Sequence, residues 1–185
     1  MTAYLVPTQE LEQVVEAVEG RGVQVKILTN SLRSNNHLAA HAAYHGHLGR
    51  LVNHGADLHE VKIDAHARSL YMDTPVADKQ LGLHAKVLLI DDDLAFVGSC
   101  NLDPRSLKLN TEVGLVIRSR QFNEQLRARL QVDFDMANAW ALRTTENGHL
   151  QWVSTDEVLD HQPAASLFQR IEDWFVGLLP IDSQM

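Results

Sequence analysis

Cysteine is nearly absent from the 185-residue chain: Cys100 stands alone. That excludes an intramolecular disulfide framework and fits a reducing compartment, with the thiol itself read as a small buried side chain. Long hydrophobic runs are missing too. No stretch approaches the roughly 20 apolar residues that cross a bilayer, and the first residues lack the basic, apolar and small-residue order of a signal peptide, so the chain reads as soluble. A basic excess is also lacking. Sixteen Lys and Arg against 24 Asp and Glu give a formal charge of −8 and a pI near 5.6, which supplies no long-range attraction to nucleic acid or to an anionic bilayer. There are no repeats and no low-complexity linker. What is present is 45% hydrophobic residues, enough for one well-filled core or two small ones and incompatible with disorder.

The chain opens in mid-element. Thr2 to Val6 reads as a strand closed by Pro7, which suggests one half of something larger. Thr8 caps a helix whose apolar Leu11, Val14, Val15 and Val18 fall at i, i+3, i+4 and i+7, with Glu10 and Glu12 near its positive end and Gly20 and Gly22 at its close. Val23 to Leu28 alternates as a strand, giving a βαβ unit with a parallel pair. The polar run from Thr29 to Asn36 is then a loop at a strand's C-terminal end, where α/β sheets usually bind ligands. Further along, the pattern predicts a helix over 38–53, a strand over 57–62, a loop over 64–82, a strand over 113–117, a helix over 121–142, a turn at Asn147-Gly148, a strand over 150–153 and a final amphipathic helix over 167–179.

The chemistry is concentrated in LHAKVLLIDDDLAFVGSCNLD, residues 83–103. With Asp92 and Asp93 as a two-residue hairpin turn, Lys86 faces Ser99 and His84 faces Asn101, and all four side chains share one face. An imidazole, a cation, a hydroxyl and an amide converging there make an anion site with a nucleophile or acid in it. Asp91 has the opposite parity and is read as closing the turn. Glu112, opening the next strand, is placed to reach the His84 ring and fix its tautomer.

His84-x-Lys86-x4-Asp91-x6-Gly98-Ser99-x-Asn101 resembles the HKD motif of the phospholipase D superfamily at six fixed positions across 18 residues, and Glu112 lies 28 residues after the histidine, where the superfamily places its acidic partner. Asn101-Leu102-Asp103-Pro104-Arg105-Ser106 followed by Leu109-Asn110-Thr111-Glu112-Val113-Gly114 is similar to the bacterial cardiolipin synthases, above all their soluble C-type clade. Tyr4-Leu5-Val6-Pro7, Thr29-Asn30-Ser31-Leu32, His41-Ala42-Ala43-Tyr44 and Leu179-Pro180-Ile181-Asp182 agree with that.

The resemblance implies an α/β phospholipase D-like lobe, a mixed sheet flanked by helices, spanning 1–185 as the C-terminal half of a two-lobed enzyme. It implies a phosphatidyltransferase acting on phosphatidylglycerol and a second phospholipid, cytoplasmic and peripherally attached to the inner membrane. One histidine attacks phosphorus to give a phosphohistidine; the other serves as acid and base, the role assigned to His84. Lys86, Ser99, Asn101 and their counterparts hold the phosphate oxygens, so neither a cofactor nor a metal is implied. Only one HKD motif is present, so the site calls for a second lobe, either an N-terminal half or a homodimer mate. Two alternatives stay open: a homodimeric phosphodiesterase or nuclease, and a catalytically incomplete lobe that binds a partner.

Other signals are read plainly. His37, His41 and His45 share a helical face, but no acidic third ligand sits at motif spacing, so a solvated histidine-rich helix is preferred over zinc. The Asp91 to Asp93 run lacks the alternation of a calcium loop. Trp140, Trp152 and Trp174 are read as core. Arg33 and Arg105 serve lipid phosphate or ordinary surface pairs. Phe175, Leu178 and Leu179 form a candidate membrane contact.

Overall fold

The structure, a computed structural model, describes residues 1–178. Helix α1 (Gln9–Glu19) starts where the Thr8 hydroxyl accepts from the Leu11 amide. Its Val15 is buried, whereas Val14 is exposed, and Glu12 turns inward to hold His47 and Arg50. The turn through Gly22, at φ 78°, delays the next strand, so β1 is Lys26–Asn30, three residues later than its alternation predicts. The expected helix over 38–53 is two, α2 (Leu38–His45) and α3 (Leu48–Asn53), broken at Gly46-His47. Strand β2 (Asp57–Val61) lies parallel to β1, with Lys26 opposite Asp57 and Asn30 opposite Val61.

After a long loop with one 3-10 turn at Arg68–Leu70 come β3 (Val87–Ile90), β4 (Leu94–Gly98), α4 (Pro104–Lys108), β5 (Gly114–Arg118) and α5 (Arg120–Leu130). The helix predicted to reach 142 ends at Leu130, and Ala139–Thr144 is a strand, β6. Its residues 139–142 are buried on both faces, and such strands read as continuous apolar runs with no period to separate them from a helix. Strands β7 (Leu150–Val153) and β8 (Val158–Leu159) and helix α6 (Leu167–Gly177) follow.

The strands form a mixed five-stranded sheet ordered β1-β2-β6-β7-β8 and an antiparallel three-stranded sheet ordered β3-β4-β5. Alternate side chains of the first sheet feed two apolar clusters. Ile27, Leu58, Trp140, Leu142 and Trp152 join Leu48 and Leu51 of α3; Leu28, Val61 and Ala139 join Ala65 and Leu81 on the other face. Helix α6 packs on α2, and α5 on β4.

The segment 1–6 is a seam rather than a full strand. Among the described residues its one bridge pairs Leu5 with Leu102. The Thr2 amide donates to the Leu28 carbonyl, the Met1 carbonyl accepts from the Val87 amide, and the Val6 amide donates to the Leu102 carbonyl, so the segment ties one sheet to the other. Asn30, at the end of β1, completes the tie. Its amide nitrogen donates to the carbonyls of Ala3 and Leu83, each at 2.9 Å, and its oxygen accepts from the Leu83 amide at 2.8 Å.

Two expectations about side chains are corrected. His41 is fully buried, with Nδ1 2.9 Å from Asp173 of α6, so the helix carrying it is not a solvated histidine face. Its apolar neighbours on α2 and the carboxylate on α6 together cover it. Trp174 is exposed, unlike the buried Trp140 and Trp152, because α6 meets the rest of the fold through Asp173. Leu179 and the stretch 180–182 lie outside the described residues.

Candidate active site

Hairpin β3–β4 carries the motif, in a register one residue away from the expected one. Val87 faces Val97 and Ile90 faces Leu94, so the turn holds three residues, Asp91 to Asp93, instead of two. Asp91 makes the difference. It sits at φ 48°, a left-handed conformation that Asp adopts more readily than most residues, and it absorbs the extra position. Lys86 therefore lies across from Gly98, whose amide donates to the Lys86 carbonyl at 3.2 Å, and the expected pairing of Lys86 with Ser99 and His84 with Asn101 is not formed. Asp91 is held at the hairpin tip, where its carbonyl accepts from Arg127, roughly 16 Å of strand away from Lys86.

The convergence expected from parity is reached by another route, through the start of β5. The Ser99 amide donates to the Val113 carbonyl at 2.8 Å, and the Ser99 hydroxyl accepts from the Val113 amide at 3.0 Å and donates to Glu112. Gly98 permits this approach, since a Cβ there would stand 2.5 Å from the Val113 carbonyl oxygen. Glu112 is thus engaged by Ser99 and by the Asn110 amide at 3.3 Å, and not by the His84 ring. The Ser99 hydroxyl first, then Asn110, Ser106 and the Lys86 ammonium, hold its carboxyl below the usual range against the opposing effect of burial.

Lys86 is buried, with Nζ donating to the His84 carbonyl at 2.9 Å. Burial pushes its ammonium down, while the Glu112 and Asp103 carboxylates pull the other way. The result is a cation held in a fixed place and poorly hydrated, which strengthens its interaction with any anion that reaches it. His84 itself is exposed. Asn101 is buried, and its side-chain oxygen accepts from the Tyr4 amide at 3.3 Å, which leaves its NH2 to donate elsewhere. It borders a cavity of about 330 Å³ shared with Tyr4, His37, Arg105 and Asn110. Cys100 is half-buried, its thiol pushed up by burial and by the Glu112 and Asp103 carboxylates.

Sequence reasoning passed over two positioning residues. Asp103 caps α4, accepting from the Ser106 amide at 2.6 Å and its hydroxyl at 3.0 Å, with Pro104 in the first turn; Asp-Pro before a short helix is a readable cap signal. Asn30 fixes the residue preceding His84, and nothing local in the sequence marks a contact across 53 positions. Arg33 is exposed, and Arg105 donates to Asn110 at 3.3 Å. Among the described residues no group of three or more His, Cys, Asp or Glu is placed to hold a metal ion, and no helix is long and apolar enough to cross a membrane.

Comparison with known proteins gives the family. The family described as cardiolipin synthase, PLD-like domain, matches residues 1–134. Cardiolipin synthase C of Escherichia coli strain K12 is 34% identical over 189 residues, covering 98% of this chain and 39% of that protein. Cardiolipin synthase B of Salmonella typhi is 59% identical over 49 residues, covering 26% of this chain and 12% of that one. The chain therefore spans well under half the length of these relatives. The solved structure of phosphatidylserine synthase from Haemophilus influenzae Rd KW20 shares the fold, with a TM-score of 0.52 at 17% identity over 86% of this chain and 33% of that one.

Proposed function

The chain belongs to the phospholipase D-like family of cardiolipin synthases, and on that premise we propose that it is one lobe of a phosphatidyltransferase whose active site is completed by a second lobe of the same kind. Its donor and acceptor are phosphatidylglycerol and a second phospholipid, met at the inner membrane surface from the cytoplasm. The observation that carries this reading is a single exposed imidazole, His84, beside a buried ammonium, Lys86, where the adjoining strand β5 is bare on both faces. Leu115 and Val116, on opposite faces, are 65% and 72% exposed, and Val113 before them is 75% exposed. Apolar strand surface of that kind marks an interface.

Displacement at phosphorus needs a nucleophile on one side and an acid on the other, and one imidazole supplies one of these. The second lobe's histidine attacks, forming a P–N bond as the P–O bond to the leaving alcohol breaks. His84, as imidazolium, gives that alcohol its proton. It then takes the proton of the acceptor hydroxyl, whose oxygen attacks phosphorus and releases the histidine. Lys86 and the Asn101 amide hold the non-bridging oxygens throughout. Ser99 joins them when its one hydroxyl proton, given to Glu112 in the free lobe, turns to the phosphate. Asp91, at the hairpin tip, supports the fold of the site and not the reaction.

The test is transfer of radiolabelled phosphatidyl groups, resolved by thin-layer chromatography, with the chain alone and with an N-terminal lobe supplied. Transfer is expected only in the assembled form, rising with the square of chain concentration if the mate is a second copy. His84→Ala is expected to lower it by about 10²- to 10⁴-fold with unchanged circular dichroism. Near-normal transfer by that variant refutes the assignment; cleavage of soluble diesters without transfer favours the homodimeric phosphodiesterase instead.

A further inference from the structure

A cavity of about 310 Å³ opens beside His84, and it is lined mostly by hydrocarbon. Leu28, Val61, Leu81 and Leu83 form its walls, and three alanines, Ala65, Ala67 and Ala85, leave the space that larger side chains would fill. Several of its polar lining groups are already engaged. The Tyr71 hydroxyl donates to Asp133, the Arg129 guanidinium lies 5.1 Å over the Tyr71 ring, and the Asn138 side chain accepts from the Ala67 amide at 2.7 Å and donates to the Val132 carbonyl at 2.8 Å. Away from His84 an occupant therefore meets a mostly apolar wall. The loop that roofs it is tied down, with Arg68 donating to the carbonyls of Ile63, Ala77 and Lys79.

We propose that this cavity receives an acyl chain, to beyond its sixth carbon, of the phospholipid whose phosphate is bound at His84 and Lys86. The proposal rests on the phosphatidyltransfer reading and names the part of the substrate that this lobe holds. Three features favour hydrocarbon. The cavity is continuous with the exposed His84, so anything in it is within reach of the reacting phosphate. Its guanidinium, Arg129, lies over an aromatic ring and the Met1 ammonium donates to the Val87 carbonyl at 2.8 Å, so neither is left open to a polyanion such as nucleic acid. Unfilled apolar space next to a core costs stability, and a protein retains such a cost where it serves binding.

The experiment uses the assembled two-lobed enzyme with dioleoyl and dihexanoyl phosphatidylglycerol as alternative substrates, in the parent and in Ala65→Val and Ala67→Leu. Filling the cavity is expected to lower the ratio of kcat/KM for the long-chain over the short-chain lipid roughly tenfold, which corresponds to excluding about two methylenes, while Tm stays level or rises. Two variants are used so that one that fails to fold does not decide the matter. A ratio unchanged from the parent, in a folded variant, overturns the cavity's role and leaves the phosphatidyltransfer reading standing. Equal loss on both lipids overturns it as well. A parent that cleaves bis(p-nitrophenyl) phosphate but turns over neither lipid overturns the reading and the cavity together.

Discussion

Replacing Glu60 by Gln should flatten the dependence of stability on pH. Glu60 lies on β2 with no exposed surface; Oε2 accepts from the Trp152 indole at 2.9 Å and Oε1 has no partner. Burial pushes its carboxyl from the ordinary value of 4.5 up to about 8, and the Asp173 carboxylate adds to the rise; the Trp152 indole and the Tyr44 hydroxyl oppose it. The Tyr44 hydroxyl falls short of a formed hydrogen bond, so burial dominates. The folded protein keeps this proton through a range where the unfolded chain gives it up. Stability from this group is therefore complete below about pH 4.5 and is lost progressively as pH rises toward 8. At about 1.4 kcal/mol per unit, the gap of about 3.5 units sets a ceiling near 5 kcal/mol. Between about pH 5 and pH 7 the expected loss is about 2–3 kcal/mol, a fall in Tm of roughly 5–10 °C for a chain of this size. Glu60→Gln keeps the shape and cannot ionise, so its Tm should fall less over the same range, and the difference between the two profiles isolates Glu60 from the ten histidines. Asp173, brought down to about 2 by its hydrogen bonds to His41 and His45 against burial, acts only below about pH 4 and does not enter. Urea or thermal melts across this range, followed by circular dichroism, provide the measurement. Parallel profiles for parent and variant would refute a protonated Glu60.

Asn30→Asp removes both donors to the Ala3 and Leu83 carbonyls and sets a carboxylate against them; a loss of about 2–4 kcal/mol is expected, with phosphatidyl transfer falling further than stability explains because residue 83 precedes His84. A calorimetric Tm within a degree of the parent would contradict it. Asp91→Asn should melt within about 0.5 kcal/mol of the parent and keep its activity, whereas Asp91→Val, β-branched at a positive φ, should cost about 1–3 kcal/mol. Equal melting temperatures for the two would show that the backbone at the tip is unstrained.

The parts of the fold legible in the sequence are those fixed by local chemistry. The Thr8 cap and the polar set of the motif can each be read within a window of a few residues, whereas the parallel pair expected between 2–6 and 23–28 is not formed, β1 pairing parallel with β2 instead. The register was not legible, because whether a DDD turn uses two residues or three depends on Asp91 entering the left-handed region and on Arg127 meeting its carbonyl from α5. Strand β6 was hidden by being buried on both faces. His41 read as solvated because its partner, Asp173, lies 132 positions away. Glu112 was correctly placed near the motif but given the wrong neighbour, since the one-residue shift sends Ser99 rather than His84 toward it.

The seam made by residues 1–6 also dictates the order in which the site can form during folding. Ser99 meets Glu112 across 13 positions, a contact that the β3–β4–β5 meander closes by itself. Leu83 reaches Asn30 across 53 positions and Tyr4 reaches Asn101 across 97. Contacts of long separation require loop-closure entropy before they return any stabilisation, and they slow folding accordingly. The β3–β4 hairpin is thus expected to exist first as a loose ribbon, and the long-range contacts of Asn30 and Tyr4 then lock His84 and Asn101 into place. On a ribosome, Tyr4 must wait until Asn101 has left the exit tunnel, with β1 and its neighbours already made and unpartnered at that edge.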